Sequence, residues 1–253
     1  MDLALDSQIV LLTGANGGIG MAIAQAFLKE RAKVLCFVRG GIDRMSELQN
    51  WMEHEKISSS QFECFDVDVG DSTSLEAGVD FIIEKFKRID ILVNNAGSAV
   101  EVPFLMMEDE DWQSCIDFNL NMTARLTKKV CRHMLREKKG AVVNISSVVG
   151  CATGRGVSAY GSAKAAMNRM TEILALELGR KGVRINAVAP GAIDTKMSKA
   201  LMDRAGDVVI DRTPLNRMGL PSEVAQAVLF LASEKTGSFI TGHILNVDGG
   251  ISL

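Results

Sequence analysis

The chain has 253 residues, a formal net charge of −3, 47% hydrophobic residues and 23% charged residues. That balance excludes a disordered or fibrous chain, and the length is ample for a core that needs no disulfide or structural metal. Slight net acidity with scattered bases excludes a general basic field for nucleic acid or an anionic membrane surface.

The first residues carry acids where an export leader would carry bases, and their apolar run soon stops. No stretch reaches the roughly 18 apolar residues of a membrane span. The five cysteines (Cys36, Cys64, Cys115, Cys131 and Cys151) include no CxxC pair, and an odd number fits a disulfide framework poorly. Reduced thiols and a cytoplasmic location are the expectation. His54, His133 and His243 lie far apart, so no metal is expected.

Along the chain, short apolar runs rich in β-branched residues predict strands at 9–12, 33–37, 61–65, 89–93, 141–145, 184–188 and 244–247. Amphipathic stretches between them, at 20–30, 72–86, 109–135 and 158–180, predict helices. The alternation predicts an α/β fold, a single doubly wound Rossmann-type domain over 1–253. Its parallel seven-stranded sheet would carry helices on both faces. The least regular segment, 195–217, is predicted to be a mobile substrate loop with short helices.

The first strand runs into Thr13-Gly14-Ala15-Asn16-Gly17-Gly18-Ile19-Gly20 and then a helix. Glycines there let the backbone turn tightly beside a pyrophosphate held at the helix N-terminus. The end of the second strand reads Cys36-Phe37-Val38-Arg39, with no carboxylate to hold a ribose 2′-hydroxyl. Arg39 favours the 2′-phosphate of NADP; a solvated arginine at a strand end is the alternative.

Tyr160 is the only tyrosine, and Lys164 follows it by four residues, on the same face of a helix. An ammonium beside a phenol lowers the phenol's pKa and readies it as a proton donor. Ser147 follows the strand 141–145, at the sheet edge where open α/β folds bind ligands. Its hydroxyl can polarise a substrate carbonyl. A core tyrosine, a surface lysine and a turn serine are the alternatives to each residue taken alone.

Together the motifs resemble the short-chain dehydrogenase/reductase family, from about Leu3 to Leu253. They are TGANGGIG, Asn94-Asn95-Ala96-Gly97, Asn119, Ser147, Tyr160-x-x-x-Lys164, Pro190-Gly191-Ala192-Ile193-Asp194-Thr195 and the stretch from Thr241 to Gly250. The resemblance implies catalysis by Asn119, Ser147, Tyr160 and Lys164, with Ser147 and Tyr160 binding the substrate. Gly14, Asn16, Gly18, Ile19 and Gly20 would line the pyrophosphate, and Asp66 and Val67 the adenine. Asn95, Ala96 and Gly97 would pass the adenine-side ribose, Asn94 being a tie inside the sheet. Tyr160 and Lys164 would hold the nicotinamide ribose, and Ile193 the nicotinamide, with Pro190, Gly191 and Thr195 alongside. Asn119 would bind a water linking Lys164 to solvent. Many NADP-dependent relatives carry a base just before the second loop glycine, where this chain has Asn16-Gly17, so NAD stays open as an alternative.

The C-terminal half is similar to the 3-oxoacyl-acyl-carrier-protein reductases, in Asn144 to Gly150, Arg217 to Glu223 and Phe230 to Ser233. This implies NADPH-dependent reduction of a 3-oxoacyl thioester in fatty-acid synthesis. It also implies docking of an acidic carrier protein near the cleft mouth on Lys138 and Lys181. A homotetramer built through the helices 109–135 and 158–180 and the last strand is implied as well. A reductase of another small ketone, steroid or sugar alcohol is the alternative; a catalytically silent nucleotide-binding regulator is a remote one.

Overall fold

Strands that are apolar on both faces have to be covered on both faces. Leu11 and Leu12 are neighbours in β1 (Ile9–Thr13), so their side chains point to opposite faces of the sheet, yet neither is exposed at all. The same holds for Leu35 and Cys36 in β2 (Lys33–Val38) and for Leu92 and Val93 in β4 (Ile91–Asn94). The computed structural model describes residues 3–99 and 101–253, and the side chains of 200, 201, 204 and 205 also lie outside the described set. The expected domain, 1–253, therefore includes three residues (1, 2 and 100) outside it.

The remaining strands are β3 (Phe62–Asp66), β5 (Gly140–Ile145), β6 (Val183–Pro190) and β7 (Ile244–Val247). They form one seven-stranded sheet in the order β3-β2-β1-β4-β5-β6-β7, and every pairing is parallel. The fold is thus the Rossmann-type α/β arrangement that the alternation predicts.

Helices α1 (Gly18–Lys29), α2 (Ser46–His54) and α8 (Pro221–Ala232) cover one face, where Ile23, Phe27, Leu48 and Val228 join the sheet in a core. On the other face, α3 (Ser72–Phe86), α5 (Met122–Glu137) and α6 (Ser158–Leu178) supply Val79, Ile82, Leu126, Val130 and Ala175. Each fully buried Leu, Ile or Val contributes about 1.5–3 kcal/mol. No helix among the described residues is long and apolar enough to cross a membrane.

Two helical expectations need correction. The stretch 109–135 is not one α-helix: α4 (Asp109–Ile116) passes into a π-turn at Asp117–Asn121, and α5 follows. The segment 195–217 contains a 13-residue helix, α7 (Lys199–Asp211), instead of short pieces. Its scattered Asp, Arg and Gly residues hide the periodicity. The Ser198 hydroxyl fixes its entry, donating to the Ile193 carbonyl at 2.6 Å and accepting from the Thr195 amide at 3.1 Å.

A tight corner joins the amino ends of β5 and β6, where Gly182 adopts φ +85° and a β-carbon would overlap the Lys138 carbonyl oxygen. Gly182→Ala is therefore expected to cost about 2–3 kcal/mol, lowering Tm by about 5–10 °C in a thermal melt. An unchanged melting temperature would contradict this packing.

Candidate active site

In the strand order the chain leaves β1 toward β2 and β3, then returns to lay β4 on β1's other side. The crevice above the carboxyl ends of β1 and β4 is where such sheets bind ligands. The two loops that open there are fastened together. The Thr13 hydroxyl accepts the amides of Asn95 (3.0 Å) and Ala96 (2.9 Å), and the Asn95 side chain donates to the carbonyls of Thr13 (2.9 Å) and Gly14 (3.0 Å). The Asn95 side-chain nitrogen thus holds the two loops together.

The closeness of this contact dictates the glycines. A β-carbon on Gly20 would overlap the Gly14 carbonyl and stand 2.6 Å from Asn95 Nδ2. On Gly18 it would meet the Thr195 methyl at 2.8 Å, so Thr195 covers the loop from the opposite side. Helix α1 starts from Gly17 with no acid in its first turn, leaving its positive end to an anion. Asn16 and Gly18 are exposed there, and Ile19 half-buried.

At the end of β2 the Arg39 side chain is 83% exposed, with Nη1 3.9 Å from Asp68 Oδ2. Asp66 accepts the Gly40 amide at 2.8 Å and so holds the corner beside Arg39, while Val67 is buried in the core. Pro190 ends β6, the Gly191 amide donates to the Val247 carbonyl at 3.0 Å, and Ile193 is buried beside Gly219.

Ser147 follows β5 in extended conformation, and its oxygen caps the short turn Val148–Gly150. Tyr160 and Lys164 lie in the first two turns of α6. Ser147 lies near enough to Tyr160 to favour its phenolate, and Lys164 Nζ stands 5.6 Å from the tyrosine ring centre. Lys164 is only 3% exposed, and its ammonium donates to the Ile145 carbonyl at 2.8 Å. Burial pushes it down to about 8 from an ordinary value of 10.5. Contrary to the expectation of a lowered phenol pKa, burial also pushes Tyr160 above its ordinary value, and Ser147 offsets only part of this. Desolvating the phenolate outweighs the help that the set provides, because Lys164 is itself desolvated and aimed at a carbonyl.

Asn119 sits in the π-turn between α4 and α5, fully buried. Its side-chain nitrogen donates to the carbonyls of Ser98 (2.8 Å) and Cys115 (2.9 Å), and its oxygen accepts the Ser98 amide at 3.2 Å. The same oxygen and Lys164 Nζ converge on Gly97, where a β-carbon would lie 2.9 Å from the first and 3.6 Å from the second. Thr13, Ser98 and the Ile145 carbonyl are functional groups that sequence reasoning gave no role. Thr13 could have been found as the hydroxyl that opens the glycine loop; nothing in the sequence marks Ser98. Asn94 and Asn144 continue the polar layer into the sheet. Asn94 donates to Asn144 at 2.8 Å and to Thr127 at 2.9 Å, and Asn144 donates to Thr171 at 2.8 Å. No group of three or more metal-ligating side chains occurs among the described residues.

A family model described as "Enoyl-(Acyl carrier protein) reductase", of the short-chain dehydrogenase type, matches residues 14–252. The chain belongs to the short-chain dehydrogenase/reductase family. Among relatives in this family, the 3-oxoacyl-[acyl-carrier-protein] reductase FabG of Thermotoga maritima is 36% identical over 249 residues, covering 98% of this chain and 99% of that one. The FabG of Vibrio cholerae is 36% identical over 247 residues, or 98% of each chain. Among solved structures, gox2181 superposes with a TM-score of 0.92 at 33% identity, covering 99% of this chain and 98% of that one. A putative NAD(P)-dependent gluconate 5-dehydrogenase from Beutenbergia cavernae, with bound NADP, matches with a TM-score of 0.92 at 29% identity over 99% of each chain.

One family-based expectation fails within a single chain. Lys138 ends α5 just before β5, and Lys181 lies in the turn just before β6. Both stand at the amino ends of the strands, whereas Ser147 and Tyr160 stand at the carboxyl ends. The six residues of β5, roughly 17 Å at the usual rise, separate them, so the two lysines do not flank their own cleft.

The buried ammonium gives a pH test. Unfolded, Lys164 titrates near 10.5; folded, near 8, so the unfolded chain binds the extra proton between those values. Burying the charge costs about 3 kcal/mol below pH 8, and the cost fades as pH rises toward 10.5. Lys164→Met removes that cost and one hydrogen bond. It should be more stable than wild type at pH 7 by roughly 1–3 kcal/mol, with the gap closing between pH 8 and 10.5. Paired melts across that range check this, and a gap that widens with pH contradicts it.

Proposed function

We propose that the protein is an NADPH-dependent reductase that converts the ketone of a 3-oxoacyl thioester, carried on acyl carrier protein, to the 3-hydroxyacyl form in fatty-acid synthesis. The observation that carries this reading is the gathering of Ser147 after β5 with Tyr160 and buried Lys164 on the first turns of α6. Near full-length identity to FabG proteins supplies the substrate class.

The glycine cradle between Gly14 and Gly20 fits a dinucleotide pyrophosphate, because it leaves bare backbone at the positive end of α1, which has no acid in its first turn. Arg39, with no acid at Val38, suits a 2′-phosphate. NADPH, when bound, supplies hydride to the carbonyl carbon. Ser147 and Tyr160 then hold the carbonyl oxygen, and Tyr160 gives its proton as negative charge grows there. A phenol held above its ordinary pKa stays protonated until that moment. Lys164 positions Tyr160, and Asn119, converging with it on Gly97, continues the route by which the proton is replaced.

A soluble monomer rarely shows large apolar side chains in clusters, and this chain exposes Ile173 and Leu176 on α6 and Phe239 and Leu253 around β7. These support the homotetramer reading. A docking role for Lys138 and Lys181 then belongs to the cleft of another subunit rather than their own. Cytoplasmic location accords with the fatty-acid synthesis reading. Gluconate dehydrogenases among the structural neighbours make a polyol-oxidising enzyme the second reading.

Tyr160→Phe should keep the fold and lower turnover of NADPH with 3-oxobutanoyl thioester by at least about a hundredfold. Wild-type turnover of gluconate and not of the thioester would overturn the substrate class. Arg39→Ala should weaken NADPH binding by about ten- to a hundredfold and leave NADH binding unchanged, read by nucleotide fluorescence. Equal binding of both nucleotides by wild type would reverse the cofactor reading.

A further inference from the structure

A second surface beside the cleft has no role in the chemistry above. After β4 the chain forms a one-turn helix at Phe104–Met106 whose three residues are 64%, 95% and 72% exposed. Three consecutive large apolar side chains in solvent are costly to solubility and call for an occupant. The turn is ordered: Met106 N donates to the Pro103 carbonyl at 2.8 Å, and the Phe104 ring meets Trp112 edge-on at 6.2 Å.

Its loop is fastened to the catalytic cleft at two points. Before the turn, Val102 N donates to the Gly156 carbonyl at 2.8 Å, and Gly156 lies four residues ahead of Tyr160. Earlier still, Ser98 exchanges two hydrogen bonds with Asn119. The apolar turn therefore projects from the rim of the site rather than from a remote surface.

From this we infer that Phe104, Leu105 and Met106 form the resting surface for the alkyl arm of the substrate and set a preference for longer acyl chains. The inference rests on the acyl-thioester reading above. With the ketone oxygen held by Ser147 and Tyr160, two arms leave the ketone carbon. One runs through the thioester to the acidic carrier; the other is the alkyl chain. Glu108, Asp109, Glu110 and Asp111 follow the turn after Met107, so this rim repels the acidic carrier and accepts the uncharged arm. A polyol has no apolar arm to place there.

Fully burying a methylene contributes about 0.8 kcal/mol, about fourfold in affinity, and contact on one side about half that, or twofold. In wild type, kcat/KM should then rise about tenfold or more from 3-oxobutanoyl through 3-oxohexanoyl to 3-oxooctanoyl N-acetylcysteamine thioester, with NADPH. In Leu105→Ser, and separately in Met106→Ser, that ratio should fall to threefold or less; both positions are so exposed that folding is not at risk. Each protein's assembly state is measured alongside by light scattering. A wild type that turns over none of the three thioesters sinks the acyl reading and this inference with it. Turnover with the same chain-length ratio in variants and wild type sinks the inference alone. A change of assembly state in the variants would assign the turn to a second copy of the chain and overturn the inference as well.

Discussion

The clamp between Thr13 and Asn95 is the constraint on which the site depends. One hydroxyl accepts two amides from the loop after β4, and one carboxamide donates to two carbonyls of the loop after β1. Four hydrogen bonds thus join the two halves of the sheet at the point where strand order reverses. They draw the backbones so close that glycine is required at 14 and 20. The glycine cradle proposed for a pyrophosphate is therefore a by-product of joining two loops, and its shape is inherited from the sheet below.

The side chains proposed for catalysis depend on that frame in a second way. Gly97 leaves room where the Asn119 oxygen and the Lys164 ammonium converge, and it follows directly on the clamped Asn95 and Ala96. Among the described residues no carboxylate pairs with Lys164; it has a main-chain carbonyl and a buried setting. Such a lysine sits where it does because α6 and β5 hold it there, at a cost in stability that the two-faced core offsets. The fold's large apolar core and its desolvated polar centre are thus parts of one arrangement.

Much of this was legible in the sequence, and for identifiable reasons. The five inner strands are buried on both faces and written as largely apolar runs, and the edge strands β3 and β7 keep aromatic or β-branched residues, so all seven appear at their places within a few residues. The glycine loop and the Tyr160–Lys164 spacing are local patterns and could be read directly. Three things were not legible. Helix α7 is disguised by Asp, Arg and Gly among its apolar positions. The destination of the Asn95 side chain and the main-chain bonds of Ser98 are set by partners 82 and 21 residues away, which no window of sequence contains. And placing Lys138 and Lys181 at the cleft mouth required knowing which end of β5 each residue falls on; both precede their strands, and the chemistry follows them. The elevated phenol of Tyr160 likewise reflects burial, which spacing does not report.

The π-turn at Asp117–Asn121 carries one more consequence. Met122 bonds five residues back, to the Asp117 carbonyl, so this stretch holds a surplus of chain relative to an ordinary helix. Asn119 lies inside the surplus, with α4 and its acidic start on one side and the amphipathic α5 on the other. Removing a single residue there would restore a regular helix and swing one half against the other by about 100°. Either the Asn119 amide would leave the cleft, or α5 would turn its apolar stripe off the sheet. The centre is thus gauged by a count of residues as much as by their identities. Replacement of most neighbours in this stretch is a matter of degree, whereas loss or gain of one is all or nothing. In descendants of this chain, the segment between Cys115 and Thr123 should vary in spelling and not in length.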